Sequence, residues 1–232
     1  MISLILPCRN QADHIGALLT RYLHTLEGFG QPFELVVVPN KCSDATLTIA
    51  EDLAERDGRV HCVPNPLGGW GRSVRVGLEA ARGSILAYTN TARTEPESLP
   101  IFLKLFAENP GSLVKARREQ RNAPLREIGS FLYNAEAKLL FRLGCDDVNG
   151  TPKIFGADFY RDSSLTADGD LLDLELMSRA RQRGLAIREI SVAGFKRHGG
   201  TSTTTFKSAW AMYMGAVRLR FQASQQKPVG RT

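Results

Sequence analysis

The chain has 232 residues, 43% of them hydrophobic and 23% charged, with Lys and Arg outnumbering Asp and Glu to give a net charge of +6. This length fits one domain of roughly 100–200 residues with an appendage, and the composition excludes disordered and collagen-like chains. The moderate basic excess suits a phosphate-rich partner or an anionic membrane surface without selecting between them. No apolar run approaches the roughly 20 residues of a membrane span, and Met1–Pro7 lacks the charged start of a secretory leader. Cys8, Cys42, Cys62 and Cys145 are scattered with no C-x-x-C pair, the pattern of reduced thiols in a cytoplasmic protein.

In chain order, Ile2–Leu6 is an apolar run stopped by Pro7 and reads as a buried strand. From Asp13, the residues Ile15, Leu18, Leu19, Tyr22, Leu23 and Leu26 recur at helical spacing and predict an amphipathic helix. Phe33–Val38 is a second buried strand, stopped by Pro39. Asp44 is expected to cap the next helix, which carries Ile49, Leu53 and Ala54. Val60–Val63 is a third strand, ended by Pro64-Asn65-Pro66. Gly68-Gly69-Trp70-Gly71 opens a helix with Val74, Leu78 and Ala81, expected to close at Gly83, and Ser84–Tyr88 is a fourth strand. This alternation predicts an α/β fold with a mostly parallel central sheet flanked by helices, whose ligands sit beyond the carboxyl ends of the strands. The loops after Leu6, Val38 and Tyr88 are therefore where function is read.

Beyond Tyr88 the pattern is less regular. Leu99–Phe106 and Arg126–Leu143 read as helices and Ser112–Ala116 as a strand; a helix over Leu171–Arg183 lies between strands at Ile154-Phe155 and Ala186–Val192. With no internal repeat and no linker, one domain is expected over 1–205 and a tail over 206–232. In the tail, Phe206, Trp210, Tyr213, Met214, Val217 and Phe221 share one helical arc flanked by Lys207, Arg218 and Arg220. Such a stripe suits packing on the domain or contact with a membrane interface.

The first loop, Pro7-Cys8-Arg9-Asn10-Gln11, has none of the glycines of a dinucleotide-binding fingerprint. Gly68, Gly69 and Gly71 follow the third strand instead, where helix amides, with Arg72 and Arg75 beside them, suit an anion or a plain tight turn.

Read together, these loops resemble the inverting family-2 glycosyltransferases, and within them the dolichol- and polyprenyl-phosphate mannose synthases. Pro7-Cys8-Arg9-Asn10-Gln11 through Ile15 matches the family's P-x-(Y/R)-N-E-x-x-x-I, and Val38-Pro39-Asn40 through Thr46 matches V-D-D-G-S-x-D-x-T. Gly68-Gly69-Trp70-Gly71 through Gly83 matches the glycine-rich helix, and Asp147–Lys153 and Asp173-Leu174-Glu175-Leu176 match two later motifs. The resemblance covers roughly residues 2–200 and implies the GT-A fold. It further implies nucleotide-sugar contacts from Pro7, Arg9, Gln11, Asn40, Gly69 and Arg72, and from Thr89, Asn90 and Thr91 after the fourth strand. Gln11 stands where the family has glutamate and Asn40 where it has an acidic residue; an asparagine amide still accepts and donates toward a base.

The family's D-x-D becomes Thr89-Asn90-Thr91. Hydroxyls are poor ligands for a hard divalent cation, so neither metal nor other cofactor is expected. Two carboxylates with a divalent ion sum to about zero, and two threonines with Arg93 to about +1, so a guanidinium fork can neutralise the leaving diphosphate. On the acceptor side, Lys115, Arg117, Arg118 and Arg121 cluster before Arg126 and Ser130. The resemblance makes Arg117, Arg126 and Ser130 the candidates for a lipid phosphate, and sets the basic segment with His198 over the diphosphate. Asp173 and Glu175 are candidate bases for an alcohol acceptor; two residues apart on a helix, at most one should enter the site.

The expected activity is therefore inverting transfer from a UDP- or GDP-sugar to a polyprenyl phosphate, without metal, at the cytoplasmic face of a membrane. The alternatives are transfer to a soluble or glycan hydroxyl and non-catalytic nucleotide-sugar binding. Nucleic acid is not an expected partner, because the basic residues form one loop rather than a stripe with stacking aromatics. No sequence feature sets an oligomeric state.

Overall fold

The computed structural model describes residues 1–119, 124–193 and 212–220, with side chains described outside 124–131. The elements run β1 (Ile2–Cys8), α1 (Ile15–Phe29), β2 (Phe33–Pro39), α2 (Thr46–Arg56), β3 (Val60–Cys62), α3 (Trp70–Ala80) and β4 (Ile85–Tyr88). They continue with α4 (Leu99–Glu108), β5 (Leu113–Arg118), α5 (Pro124–Phe141), β6 (Lys153–Gly156), α6 (Ala157–Ser163), α7 (Leu172–Gln182) and β7 (Ile187–Val192). A helical stretch over 212–220 follows.

The strands form one seven-stranded sheet in the order β3-β2-β1-β4-β6-β5-β7. Only β6 runs against its neighbours, pairing antiparallel with both β4 and β5. The expected mostly parallel α/β sheet is thus observed. Strand alternation sends residues to two buried layers. Ile5, Val36, Val38, Tyr88 and Phe155 face the layer that includes Val74 and Leu78 of α3 and Leu174 and Met177 of α7. Ile2, Leu4, Leu6, Leu35, Val37 and Ile154 face Leu19 and Tyr22 of α1 and Phe102 of α4.

Register brings the ends of β1, β2 and β4 together. Cys8 pairs with Pro39 and Ile5 with Tyr88; the Asn40 amide donates to Cys8 O at 2.7 Å and the Thr89 amide to Ile5 O at 3.2 Å. The three loops singled out from the sequence therefore leave the sheet at one rim.

Two local expectations are corrected. Gly83 does not close α3: the helix ends at Ala80 with an extended Ala81, and Gly83 is needed because a Cβ there would press on Met1 O and Ser3. A left-handed glycine cap does end α1, at Gly30 with φ 76°. Asp44 is not the N-cap of α2, a position held by Ala45; it accepts from the Thr46 and Ala12 amides, both at 3.0 Å, and so ties the first loop to the start of α2.

The described part of the tail packs on the domain. Tyr213 meets Tyr133 edge-to-face at 5.8 Å, Ala216 is buried and Gly215 lies against Leu171. Met214, Arg218 and Arg220 are exposed, while Phe206, Lys207, Trp210 and Phe221 lie outside the described residues. Among the described residues, no helix is long and apolar enough to cross a membrane.

Gly77 of α3 sits where a methyl group would collide with Ile5 and Val38. Gly77→Ala should lower unfolding stability by about 1–3 kcal/mol in urea denaturation. Gly28, exposed on α1 with open space around it, is the control: Gly28→Ala should raise stability by about 0.5–1 kcal/mol.

Candidate active site

At the rim of β1 and β2, Gln11 and Asn40 are more than nine-tenths buried. Their backbones are fixed, the Gln11 amide donating to Thr46 Oγ1 and the Asn40 amide to Cys8 O, each at 2.7 Å. Their carbonyl oxygens, Gln11 Oε1 and Asn40 Oδ1, are buried without a hydrogen-bond partner. A buried acceptor left unpaired costs about 1–3 kcal/mol, so two at the ends of these strands mark a place that calls for a donor. The glycine loop approaches from above: a Cβ on Gly68, at φ +82°, would sit 3.7 Å from Asn40 Oδ1. Arg9 is exposed beside this corner, and Pro7 is buried within β1.

After β4 the chain makes a tight turn, with the Arg93 and Thr94 amides donating to Asn90 O. Thr89 and Thr91 are fully buried, and both hydroxyls are engaged in the fold: Thr89 Oγ1 donates to Thr94 Oγ1 at 2.7 Å and Thr91 Oγ1 to Pro7 O at 2.8 Å. Asn90 Oδ1 accepts from the Ala92 amide, and Arg93 is half-buried in the same turn. Both hydroxyls are uncharged and already bonded within the fold, whereas a hard divalent cation takes charged oxygens.

The centre of the rim is organised by Asp173. Its Oδ1 accepts from the Tyr88 hydroxyl at 2.6 Å and from Lys153 Nζ at 2.5 Å, and its Oδ2 from the Trp70 indole at 3.1 Å. One carboxylate thereby joins the start of α3, the end of β4, the start of β6 and α7. Lys153 is fully buried, its ammonium 5.4 Å from the Tyr88 ring centre. Burial pulls its pKa below the ordinary lysine range, against the opposing pull of Asp173. The Tyr88 phenol is pushed well above its ordinary value by burial and then by the Asp173 charge.

Glu175 faces away from this centre. It accepts from the Thr166 and Ala167 amides at 2.9 and 2.8 Å and from the Thr166 hydroxyl at 3.0 Å, pinning the loop before α7. That loop lies on the first turn of α3: the Arg72 amide donates to Asp168 O, and Gly69 and Gly71 leave no room for a Cβ beneath its carbonyls. Arg72 and Arg75 both bind the Asp168 carboxylate, Arg75 at 2.9 Å. Asp173 and Glu175 thus point to different partners, as their spacing on one helix predicts, and Arg72 is paired with an internal acid.

The basic cluster on the acceptor side is also largely matched by acids. Lys115 is buried and donates to Ala116 O and Glu189 at 2.8 Å and to Asp147 O. Arg118 binds both oxygens of Asp147 at 2.6 and 2.7 Å, and Arg117 lies 2.6 Å from Asp146. Lys115 is therefore a core cation rather than part of a surface cluster. Arg121, His198 and the side chains of Arg126 and Ser130 lie outside the described residues.

Sequence reasoning missed Trp70, Tyr88, Lys153 and Asp170. A lysine in the apolar frame Thr151-Pro152-Lys153-Ile154-Phe155 was the available signal, since a lysine is almost never fully buried unless paired. Asp170 is exposed, three residues before Asp173. The surrounding protein still desolvates its carboxyl, raising its pKa, and the Asp173 charge adds to the rise.

Residues 3–162 match the profile of Glycosyl transferase family 2, and the chain belongs to that family. Glycosyltransferase AglD of Haloferax volcanii is 28% identical over 204 residues, covering 82% of this chain and 32% of that protein. Undecaprenyl-phosphate 4-deoxy-4-formamido-L-arabinose transferase of Shewanella sediminis is 26% identical, covering 59% of this chain and 42% of that protein. Dodecaprenyl-phosphate galacturonate synthase of Rhizobium johnstonii is 22% identical, covering 72% and 51%. The chain thus spans about a third to a half of the length of the curated relatives it matches. Among solved structures, glucosyl-3-phosphoglycerate synthase from Mycobacterium tuberculosis, in complex with Mn2+, UDP and glucosyl-3-phosphoglycerate, superposes with a TM-score of 0.73. The match is 19% identical and covers 99% of this chain and 82% of that one. The fold is the GT-A fold.

Removing Asp173 strands the buried Lys153 charge. Asp173→Ala should destabilise by about 3–5 kcal/mol, and adding Lys153→Met should recover most of that loss, because a buried pair tolerates joint apolar replacement. Urea denaturation of both single variants and the double variant checks this. Asp170, its pKa raised in the fold, favours the native state while neutral, below the unfolded value of about 3.9. That advantage disappears as pH rises through the native value. Asp170→Asn should therefore melt higher than the native chain at neutral pH and no higher near pH 3, by calorimetry.

Proposed function

We propose that this chain transfers a sugar from a UDP- or GDP-sugar, with inversion, to the phosphate of a polyprenyl phosphate, without a divalent metal. One observation carries the acceptor class: both oxygens of Asp173 and both of Glu175 are engaged in hydrogen bonds within the protein. An alcohol needs a base to take its proton, whereas a phosphomonoester, with a second pKa near about 6, is already an anionic nucleophile at neutral pH. The relatives named for polyprenyl-phosphate sugar transfer support the same acceptor.

The nucleobase lies against Gln11 and Asn40, whose buried carbonyls take its N–H donors, and the diphosphate runs toward the turn of Thr89, Asn90 and Thr91. Arg93 neutralises the charge that grows on the leaving nucleoside diphosphate as the anomeric C–O bond breaks. The acceptor phosphate oxygen forms the new bond from the opposite face, so no proton has to be removed. Arg117 meets that phosphate by exchanging Asp146 for it, with Arg126 and Ser130. The reaction takes place at the cytoplasmic face of the membrane, where the lipid phosphate is presented.

Asp170 favours a second reading. An exposed carboxyl whose pKa is raised, close enough to Asp173 to feel its charge, suits a general base, which would fit a hydroxyl acceptor. The two are separated by assaying purified protein in EDTA with labelled UDP- and GDP-sugars, offering undecaprenyl phosphate or a glycan alcohol. Transfer to the lipid phosphate that survives Asp170→Asn and falls at least about tenfold with Arg93→Ala is the expected result. Transfer to the alcohol alone, lost with Asp170→Asn, establishes the second reading. Nucleotide binding without transfer to either acceptor makes the chain a binding protein.

A further inference from the structure

Trp70 stands at the start of α3 beside Asp173 without a role in the reading above. It follows Gly69 directly and opens α3, two residues after the glycine that approaches Asn40 Oδ1. At its other edge the indole N–H reaches Asp173 Oδ2. The residue therefore links the glycine turn beside Asn40 to the carboxylate of Asp173. It is half-buried, and it meets Tyr88 edge-to-face, with ring centres 6.3 Å apart at 63°.

This combination constrains the ring tightly. The polar atom is satisfied by Asp173, Tyr88 fixes the ring from the side and part of the ring packs on the core, so the part left exposed is apolar surface held in one orientation. A ring fixed in advance costs little ordering entropy when a ligand lands on it. A hexopyranose has a complementary surface: C–H groups on its ring faces, which carry partial positive charge toward the negative face of an aromatic ring. In a nucleotide sugar whose base lies on Gln11 and Asn40, the sugar is the end farthest from the base and reaches the Asp173 end of the cleft.

We propose that Trp70 is the platform on which the transferred sugar of the donor stacks, oriented by the Asp173 carboxylate and the Tyr88 ring. The proposal rests on the nucleotide-sugar reading of Gln11 and Asn40. It assigns Trp70 to the sugar and not to the nucleotide.

The chain has two tryptophans, at 70 and 210, so Trp210→Phe leaves Trp70 as the sole indole reporter. That variant is titrated with UDP, GDP, UDP-glucose and GDP-mannose while its emission is followed. For the base that the cleft accepts, the sugar nucleotide should bind about 3- to 10-fold tighter than the free diphosphate, and it should shift Trp70 emission where the diphosphate does not. In the otherwise native chain, Trp70→Ala should abolish that difference while leaving diphosphate affinity within about twofold, and Trp70→Phe should restore most of it. Thermal melting checks that each variant is folded, and Trp70→Leu, which keeps bulk without a π face, should behave as the alanine variant does. Equal losses for diphosphate and sugar nucleotide in Trp70→Ala overturn the proposal, as does a leucine variant that binds the sugar nucleotide normally. If the native chain binds none of the four compounds, the nucleotide-sugar reading falls, and this assignment with it.

Discussion

A buried lysine ammonium must have a counter-charge, and in this fold that requirement fixes the rim of the sheet. Lys153 enters the interior at the start of β6, where alternation along the strand directs it inward beside Tyr88. Only a carboxylate offsets the desolvation of that charge, and Asp173 supplies it from α7. Because Asp173 also takes the Tyr88 hydroxyl and the Trp70 indole, placing one ion pair sets the relative positions of four elements. The strand that breaks the parallel order of the sheet is thus the one that brings the charge to its centre.

Around that pair, the rim divides into regions of different electrostatic character. The β1–β2 corner offers neutral acceptors that lack partners, and the turn after β4 offers hydroxyls already spent on the fold beside Arg93. The far side holds cations matched by acids, with Arg118 on Asp147 and Arg117 on Asp146. A pair as exposed as Arg117 and Asp146 contributes little to stability and is readily exchanged. The Arg118 pair is far more enclosed and holds β5 against the chain before β6.

The fold was legible because its signals are local and repeated. Apolar runs stopped by Pro7 and Pro39, and helical spacing from Ile15 to Leu26, mark strands and helices with little help from tertiary context. The motif order located the rim as well. What the sequence could not show was which polar groups satisfy one another. Glu175 and Asp173 share one short motif, yet one serves a loop and the other the centre, because their directions on α7 differ and their partners lie up to about a hundred residues away. Gly83 has the look of a helix cap; its need for space comes from Met1 and Ser3, which helical periodicity cannot reveal. The short helix α6, which the reading lacked, has too few residues to show a period.

The four-way contact at Asp173 has a consequence for how this chain diverges from others of its family. Trp70, Tyr88, Lys153 and Asp173 lie far apart in sequence yet each contacts the same carboxyl or belongs to it. A change at one alters the hydrogen-bonding or charge balance of the rest, so drift through single neutral steps is obstructed at these sites. Across homologous chains the four positions should be inherited as a block, and a lineage that abandons the lysine should be found to have replaced the aspartate as well.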